Sequence, residues 1–192
     1  MKSASLQRKT KETDIETELR IDGSGIVTID TGIGFFDHML SSFALHAAFD
    51  LSIRCSGDLT VDSHHTIEDV GILLGKAFAQ AIEDRSKIAR YGSAIIPMDE
   101  SLARAVVDIC GRSFLFFDAD FKDSMIGTMS TQMIEEFWRA FSANAQLTLH
   151  IEVLHGRNDH HKAEAIFKAV AHALRQAVIP NEKGVLSVKG AL

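Results

Sequence analysis

The feature that most constrains this chain is a repeat at half its length. Asp62-Ser63-His64-His65-Thr66-Ile67-Glu68-Asp69 returns ninety-six residues later as Asn158-Asp159-His160-His161-Lys162-Ala163-Glu164-Ala165 in a sequence of 192 residues. In both copies two adjacent histidines precede a glutamate, which stands at i+4 from the first and i+3 from the second. Each copy follows a good N-cap residue and opens a long helical pattern. Residues three and four apart share a helix face, so the glutamate can join either histidine of its pair. The two histidines themselves diverge by roughly 100° around the helix and suit two different ions. Imidazole and carboxylate together match first-row divalent metals.

The flanking sequence repeats as well. Alternation from Ile15 to Ile21 reads as a half-buried strand. Asp22-Gly23-Ser24-Gly25 then supplies hairpin chemistry before Ile26-Val27-Thr28-Ile29-Asp30. Eighty-eight residues on, Ile109 to Asp118 carries the same strand, turn and strand. Phe36 to Ala48 has apolar residues at helical spacing (Met39, Leu40, Phe43, Ala44, Ala47), and Met133 to Ala145 repeats it with Phe137, Trp138, Phe141 and Ala145. Aligning Phe43 with Phe141 sets Glu136 opposite His38, a metal-ligand type at both positions. Short strands at Leu51-Ser52-Ile53 and Leu147-Thr148-Leu149 precede the two HHxxE helices. Each half therefore reads as hairpin, helix, strand, helix. The fold class expected is α+β, with duplicated halves that each pack helices on one sheet face over a shared core. One domain of two repeats, about 1–92 and 93–192, is expected, with its seam near Arg90-Tyr91-Gly92-Ser93.

Composition narrows the function. A formal net charge of −6 argues against general nucleic-acid binding, so an anionic substrate needs a local cationic site. No run approaches the eighteen or so apolar residues of a membrane span, and Met1-Lys2-Ser3-Ala4-Ser5 lacks the apolar segment of a signal peptide. No membrane is expected as a partner, and the cytoplasm is the expected location. The two cysteines, Cys55 and Cys110, read as buried thiols rather than a disulfide framework.

Several further segments carry a resemblance: Lys11-Glu12-Thr13, Gly34-Phe35-Phe36-Asp37-His38-Met39-Leu40, both HHxxE motifs, Pro97-Met98-Asp99-Glu100, Gly111-Arg112, Phe167-Lys168-Ala169 and Lys183-Gly184-Val185-Leu186. Together they resemble imidazoleglycerol-phosphate dehydratase, the hydro-lyase of histidine biosynthesis that converts imidazole glycerol phosphate to imidazole acetol phosphate. The resemblance implies a fold like domain 2 of ribosomal protein S5, with duplicated left-handed βαβ-type halves. It also implies two Mn²⁺ ions per active site, sites built between subunits, and a homo-oligomer of 24 subunits built from trimers.

Carried across residue by residue, the metal ligands implied are His38, His64, His65, Glu68, His160, His161 and Glu164, with Glu136 as the eighth. At that eighth position the family members compared carry histidine, and His150 is the competing candidate. His46 matches a substrate-lining position, whereas His155 and His172 have no repeat partner of metal-binding type. Arg90, Arg112, Lys168 and Lys183 match the phosphate site. Asn181 keeps a donor there, although Glu182 beside it would repel phosphate unless turned away. Glu12, Glu164 and Asp99 are the candidates for moving protons.

This chemistry needs two Lewis acids, because no carbonyl acidifies the C–H bond that must break. An imidazole ring held at both nitrogens can become imidazolate, expel the neighbouring hydroxyl, and then lose a proton to give an enol that tautomerises to the ketone. Eight protein ligands on two six-coordinate ions leave about four positions for substrate, which suits manganese rather than tetrahedral zinc. A dinuclear metal hydrolase would need bridging carboxylates that this mostly imidazole set lacks. A structural metal scaffold would hold subunits together without turnover.

Overall fold

A computed structural model describes residues 2–182 and 184. Two four-stranded sheets face each other across four long helices. The first contains β1 (Ser3–Lys9), β2 (Thr13–Arg20), β3 (Val27–Asp30) and β4 (Asp50–Gly57) in the order β1-β2-β4-β3. The second contains β5 (Tyr91–Met98), β6 (Ser101–Asp108), β7 (Phe114–Asp118) and β10 (Thr148–His155) in the equivalent order β5-β6-β10-β7. A small hairpin, β8 (Met125–Ile126) with β9 (Met129–Ser130), follows β7. The helices are α1 (Gly34–Ala47), α2 (His64–Ile82), α3 (Gln132–Ala145) and α4 (Asp159–Ala177).

The matching strand orders bear out the duplicated α+β reading, but the hairpins lie elsewhere. β2 does not turn back onto β3 at Asp22-Gly23-Ser24-Gly25. It pairs with β1 and with β4, while β3 runs parallel to β4 after the α1 crossover. In the second half β6 likewise pairs with β5 and β10, and β7 runs parallel to β10. The true hairpins are β1–β2 and β5–β6. Their tight turns, at Lys9-Thr10-Lys11-Glu12-Thr13 and at Asp99-Glu100, project toward the starts of α2 and α4.

Helix patterning explains the central layer. Phe36, Met39, Leu40, Phe43, Ala44 and Ala47 of α1, and Met133, Ile134, Phe137, Trp138, Phe141 and Ala145 of α3, are all buried. Across the halves α1 packs on α4 and α2 on α3. Phe43 meets its own repeat equivalent, Phe141, with ring centroids 6.4 Å apart, so the pair sits where a local two-fold relating the halves would pass. Gly71 and Gly75 let α2 lie against α3; a Cβ on Gly75 would come within 2.6 Å of the Phe141 carbonyl. The buried apolar residues of both halves form one continuous cluster. Cys55 and Cys110 are free and buried, and burial pushes the Cys55 thiol up to about 11, which leaves it inert. Among the described residues no helix is long and apolar enough to cross a membrane.

Candidate metal centre

Both HHxxE segments form the first turns of long helices, at the same end of the molecule's strands. Asn158 caps α4 by accepting the N–H groups of His160 and His161 at 2.9 and 3.3 Å. At α2 the cap position falls on Ser63, which makes no side-chain cap bond, and Asp62 Oδ1 accepts from the His64 N–H instead at 2.7 Å. The imidazoles splay as helical geometry requires. His64 and His65 have ring centroids 6.2 Å apart at 78°, and His160 and His161 are 6.2 Å apart at 83°.

That splay divides the ligand candidates. His38, on the first turn of α1, joins His160 and Glu164 of α4, and their donor atoms all lie within 4.8 Å of one another. Glu164 Oε2 stands 3.3 Å from His160 Nε2 and 3.8 Å from His38 Nε2, while its other oxygen accepts from Lys168 Nζ at 2.7 Å. Burial of Glu164 opposes its charge. The hydrogen bond and charge of Lys168, with His38 and His160 beside it, outweigh that and hold its carboxyl below the ordinary range. Phe35 packs edge-on against the His160 ring at 5.1 Å. A cleft of about 560 Å³ lined by Asp123, Met125, Ile126, Arg157 and Asn158 opens beside His160.

The second histidine of each pair looks elsewhere. His161 Nδ1 is 2.7 Å from Glu100 Oε2, and its Nε2 is 3.6 Å from Asp99 Oδ2. His65 Nδ1 is 3.0 Å from Asp58 Oδ2, and its Nε2 is 3.7 Å from Glu12 Oε1. The hydrogen bonds that Asp58 accepts from His65 and Glu100 from His161, with the charge of the neighbouring carboxylates, raise both imidazole pKa values above the usual figure for histidine. The bond from His161, with the N–H groups of Asn158 and Arg157, holds the Glu100 carboxyl well below the usual carboxylate range. Asp58 and Glu100 were missed by sequence reasoning. A contact between a loop and a helix start has no periodicity to betray it.

His64 pairs with Glu68 at 3.7 Å, but among the described residues neither that pair nor His65 with its carboxylates brings three donor atoms within 4.8 Å of one another. Glu136 does not converge with His38; its carboxylate faces Arg139 Nε at 3.5 Å on its own helix, α3. His150 lies on the sheet face away from the helices, stacked on Phe116 at 5.5 Å and beside Phe114.

The cations separate as well. Lys168 stands against Glu164, but Arg90 is almost fully buried, its Nε and Nη2 donating to the two oxygens of Asp108 at 2.6 and 3.1 Å. Its backbone N–H donates to the Ala177 carbonyl, sixteen residues along α4 from His161, or about 24 Å. Arg112 is exposed just beyond β6, its carbonyl accepting from Thr148 at the far end of β10. Asn181 donates to the Gly184 carbonyl at 3.1 Å. Lys183 lies outside the described residues. His46 and His172 form an unforeseen pair two turns along from the cluster, Nδ1 to Nε2 at 3.2 Å, and burial lowers both pKa values.

The donor set fits a divalent metal. Two imidazoles and a carboxylate ionised by a neighbouring cation converge, and the second imidazoles are held at Nδ1 with Nε2 facing Glu12 at His65 and Asp99 at His161. The scaffold and site together define a duplicated α+β protein of metal-binding type, with an imidazole–carboxylate cluster at α4 and a His64–Glu68 pair at α2. A family model described as imidazoleglycerol-phosphate dehydratase matches residues 31–174. The chain is 54% identical over 192 residues to the imidazoleglycerol-phosphate dehydratase of Methanosarcina mazei and 50% identical over 194 residues to that of Streptococcus sanguinis, each covering all of both proteins. The crystal structure of the Staphylococcus aureus enzyme superposes with a TM-score of 0.85 at 41% identity, covering 93% of this chain and 99% of that one. The Pyrococcus furiosus enzyme gives 0.86 at 37% identity, covering 97% and 100%. The chain belongs to the imidazoleglycerol-phosphate dehydratase family, hydro-lyases of histidine biosynthesis.

Proposed function

We propose that the chain dehydrates imidazole glycerol phosphate to imidazole acetol phosphate around two Mn²⁺ ions, in active sites shared between copies of one domain whose two repeats meet near residue 92. The observation that carries the reading is the division of each histidine pair between two centres, with His38, His160 and Glu164 converging on one side and His161 facing Asp99 and Glu100 on the other. His64, His65 and Glu68 supply the equivalent donors at α2, and Glu136 completes the set of eight. Bound there, the ions supply Lewis acidity to the imidazole ring and its neighbouring hydroxyl.

The residues of the chain then do the rest. Lys168 keeps Glu164 ionised. Glu12, exposed on the β1–β2 turn and 3.7 Å from His65, takes or returns a proton on one side, and Asp99 stands in the corresponding place beside His161. Arg112, with its guanidinium exposed, binds the phosphate together with Arg90, Asn181 and Lys183. His46 lines the substrate.

Separation of these groups supports sharing between subunits. Arg112 and Arg90 stand at the opposite end of strands and helices from His160, over 20 Å away by helical rise, whereas a three-carbon phosphate ester spans under about 10 Å. One chain's imidazole centre has Lys168 beside it but needs Arg90 and Arg112 from another chain. The outer face of the second sheet exposes Ile95, Val106, Phe114 and Phe116, whereas that of the first presents Glu16, Glu18, Ser52 and Arg54. Such an apolar face suits a homo-oligomer, here the 24-subunit particle built from trimers, in the cytoplasm.

Turnover of imidazole glycerol phosphate and particle mass by light scattering, measured on chelated protein before and after Mn²⁺ is restored, test this reading. Activity and size should fall and recover together, since metal that ties segments of different chains contributes to assembly. Undiminished turnover after complete chelation would overturn the metal-dependent mechanism. An unchanged particle without turnover would restrict the ions to catalysis.

A further inference from the structure

Glu12 and Glu100 are repeat equivalents, eighty-eight residues apart, yet they meet their histidines on opposite sides. Glu12 stands off the Nε2 of His65. Glu100 takes the Nδ1 of His161, and its second oxygen accepts the N–H groups of Arg157 and Asn158 at 2.9 and 2.7 Å. In the first half the Nδ1 position is filled instead by Asp58, from the segment after β4, with both oxygens within 3.2 Å of the ring nitrogen. Two different loops have thus supplied the same contact at duplicated sites. Among the described residues the glutamate of the first half is left unengaged by backbone, and that of the second is committed to it.

We propose that Asp58 and Glu100 are positioning residues: each accepts the Nδ1–H of its histidine and so fixes the tautomer that offers Nε2 to a divalent metal ion. The proposal rests on the metal-binding reading above. A neutral imidazole carries one N–H, so anchoring it at Nδ1 leaves the lone pair at Nε2. Losing such an outer carboxylate weakens metal binding about 10–100-fold.

The two sites differ in a way that makes the idea testable. In Glu100→Gln the amide oxygen remains bound to the N–H groups of Arg157 and Asn158, so the NH₂ faces Nδ1. Two donors then oppose each other, and His161 is driven to the other tautomer. In Asp58→Asn the side chain has no such second anchor among the described residues, and the amide can turn its oxygen to Nδ1–H. The expected order for Mn²⁺ affinity is therefore wild type, then Asp58→Asn within a few-fold, with Asp58→Ala and Glu100→Gln both about 10–100-fold weaker.

Free Mn²⁺ measured by electron paramagnetic resonance during reloading of chelated full-length protein gives affinity and stoichiometry, and melting of the metal-free variants reports the loop. Glu100→Gln should melt near wild type while losing metal affinity, a combination that a purely structural role does not produce. Wild-type affinity in both Glu100→Gln and Asp58→Ala, with two ions bound, would overturn the positioning roles and leave the metal reading intact. A wild-type protein that takes up no Mn²⁺ would overturn both.

Discussion

Gly57→Ala should damage catalysis through a contact that involves no catalytic group. Gly57 ends β4, and a Cβ placed there would lie 2.0 Å from the Oγ1 of Thr66 and 3.2 Å from its Cβ. Thr66 is fully buried on the first turn of α2, directly after His64 and His65. Real Cβ atoms essentially never approach within 3.0 Å, so the helix start must retreat by about 1 Å. Gly57 has no positive φ, and the effect is therefore purely steric. Overpacking of this kind costs about 1–3 kcal/mol, which for a chain of this size lowers Tm by about 2–12 °C. A displacement of about 1 Å in His64 and His65 costs on the order of 10²-fold in kcat/KM. Thr66 Oγ1 is buried without a hydrogen-bond partner among the described residues, so Thr66→Ala alone forfeits no such bond. Paired with Gly57→Ala it should restore most of the lost activity, giving a strongly non-additive cycle. Melting of metal-free protein at fixed concentration and steady-state kinetics with saturating Mn²⁺ measure both arms. Additive losses, or a Gly57→Ala enzyme with wild-type Tm and kcat/KM, would refute the reasoning.

Arg112→Ala should raise KM by a factor equivalent to about 1.5–3 kcal/mol, the range of a hydrogen bond to a charged group, while Mn²⁺ stoichiometry stays unchanged; a normal KM would move the phosphate contact to other cations. The His46–His172 pair predicts a pH dependence with a defined sign. Burial, with the charge of Lys168 at His46 and that of Arg175 at His172, lowers both pKa values below the unfolded figure of about 6.5. The unfolded chain then binds more protons, so stability contributed here is present above that figure and lost as pH falls through the lower folded values. His65 and His161 have raised values and act in the opposite sense, so the comparison must be with a variant. Metal-free His172→Asn should lose less Tm than wild type between pH 7 and 5.5, and parallel Tm curves would exclude the pair as a source of acid sensitivity.

Sequence periodicity reached α1 and α3 almost residue for residue, because each buries one clear stripe, and it located the starts of α2 and α4. Strands were harder to read. β1 (Ser3–Lys9) is an edge strand whose one large apolar residue is Leu6, and β5 (Tyr91–Met98) is an edge strand interrupted by Gly92 and Pro97, the latter tolerable only because an edge N–H has no ladder partner to lose. β6 buries Ala103, Ala105 and Val107, too small to mark a strand strongly. The Asp22-Gly23-Ser24-Gly25 turn suggested a hairpin locally, but α1 carries the chain across to a parallel pairing that no local signal announces. The repeat made the HHxxE groups legible, since a duplicated pattern survives in one dimension. The union of His38 with Glu164 across 126 residues, the commitment of Arg90 to Asp108, and the carboxylates behind His65 and His161 depend on which loops and helices meet, and that is decided by packing.

The opposite placement of Arg112 and His160 along the same strands has a genetic consequence. A protomer lacking His160 still carries an intact cationic end, and one lacking Arg112 still carries an intact imidazole end. When two such defective proteins assemble into the shared sites proposed above, some junctions would unite the sound end of one with the sound end of the other. Alleles damaged at the two ends should therefore complement each other in a cell that expresses both, whereas two alleles damaged at the same end should not. Recessive defects would thus sort into two groups by position along the strand axis rather than by position in the sequence.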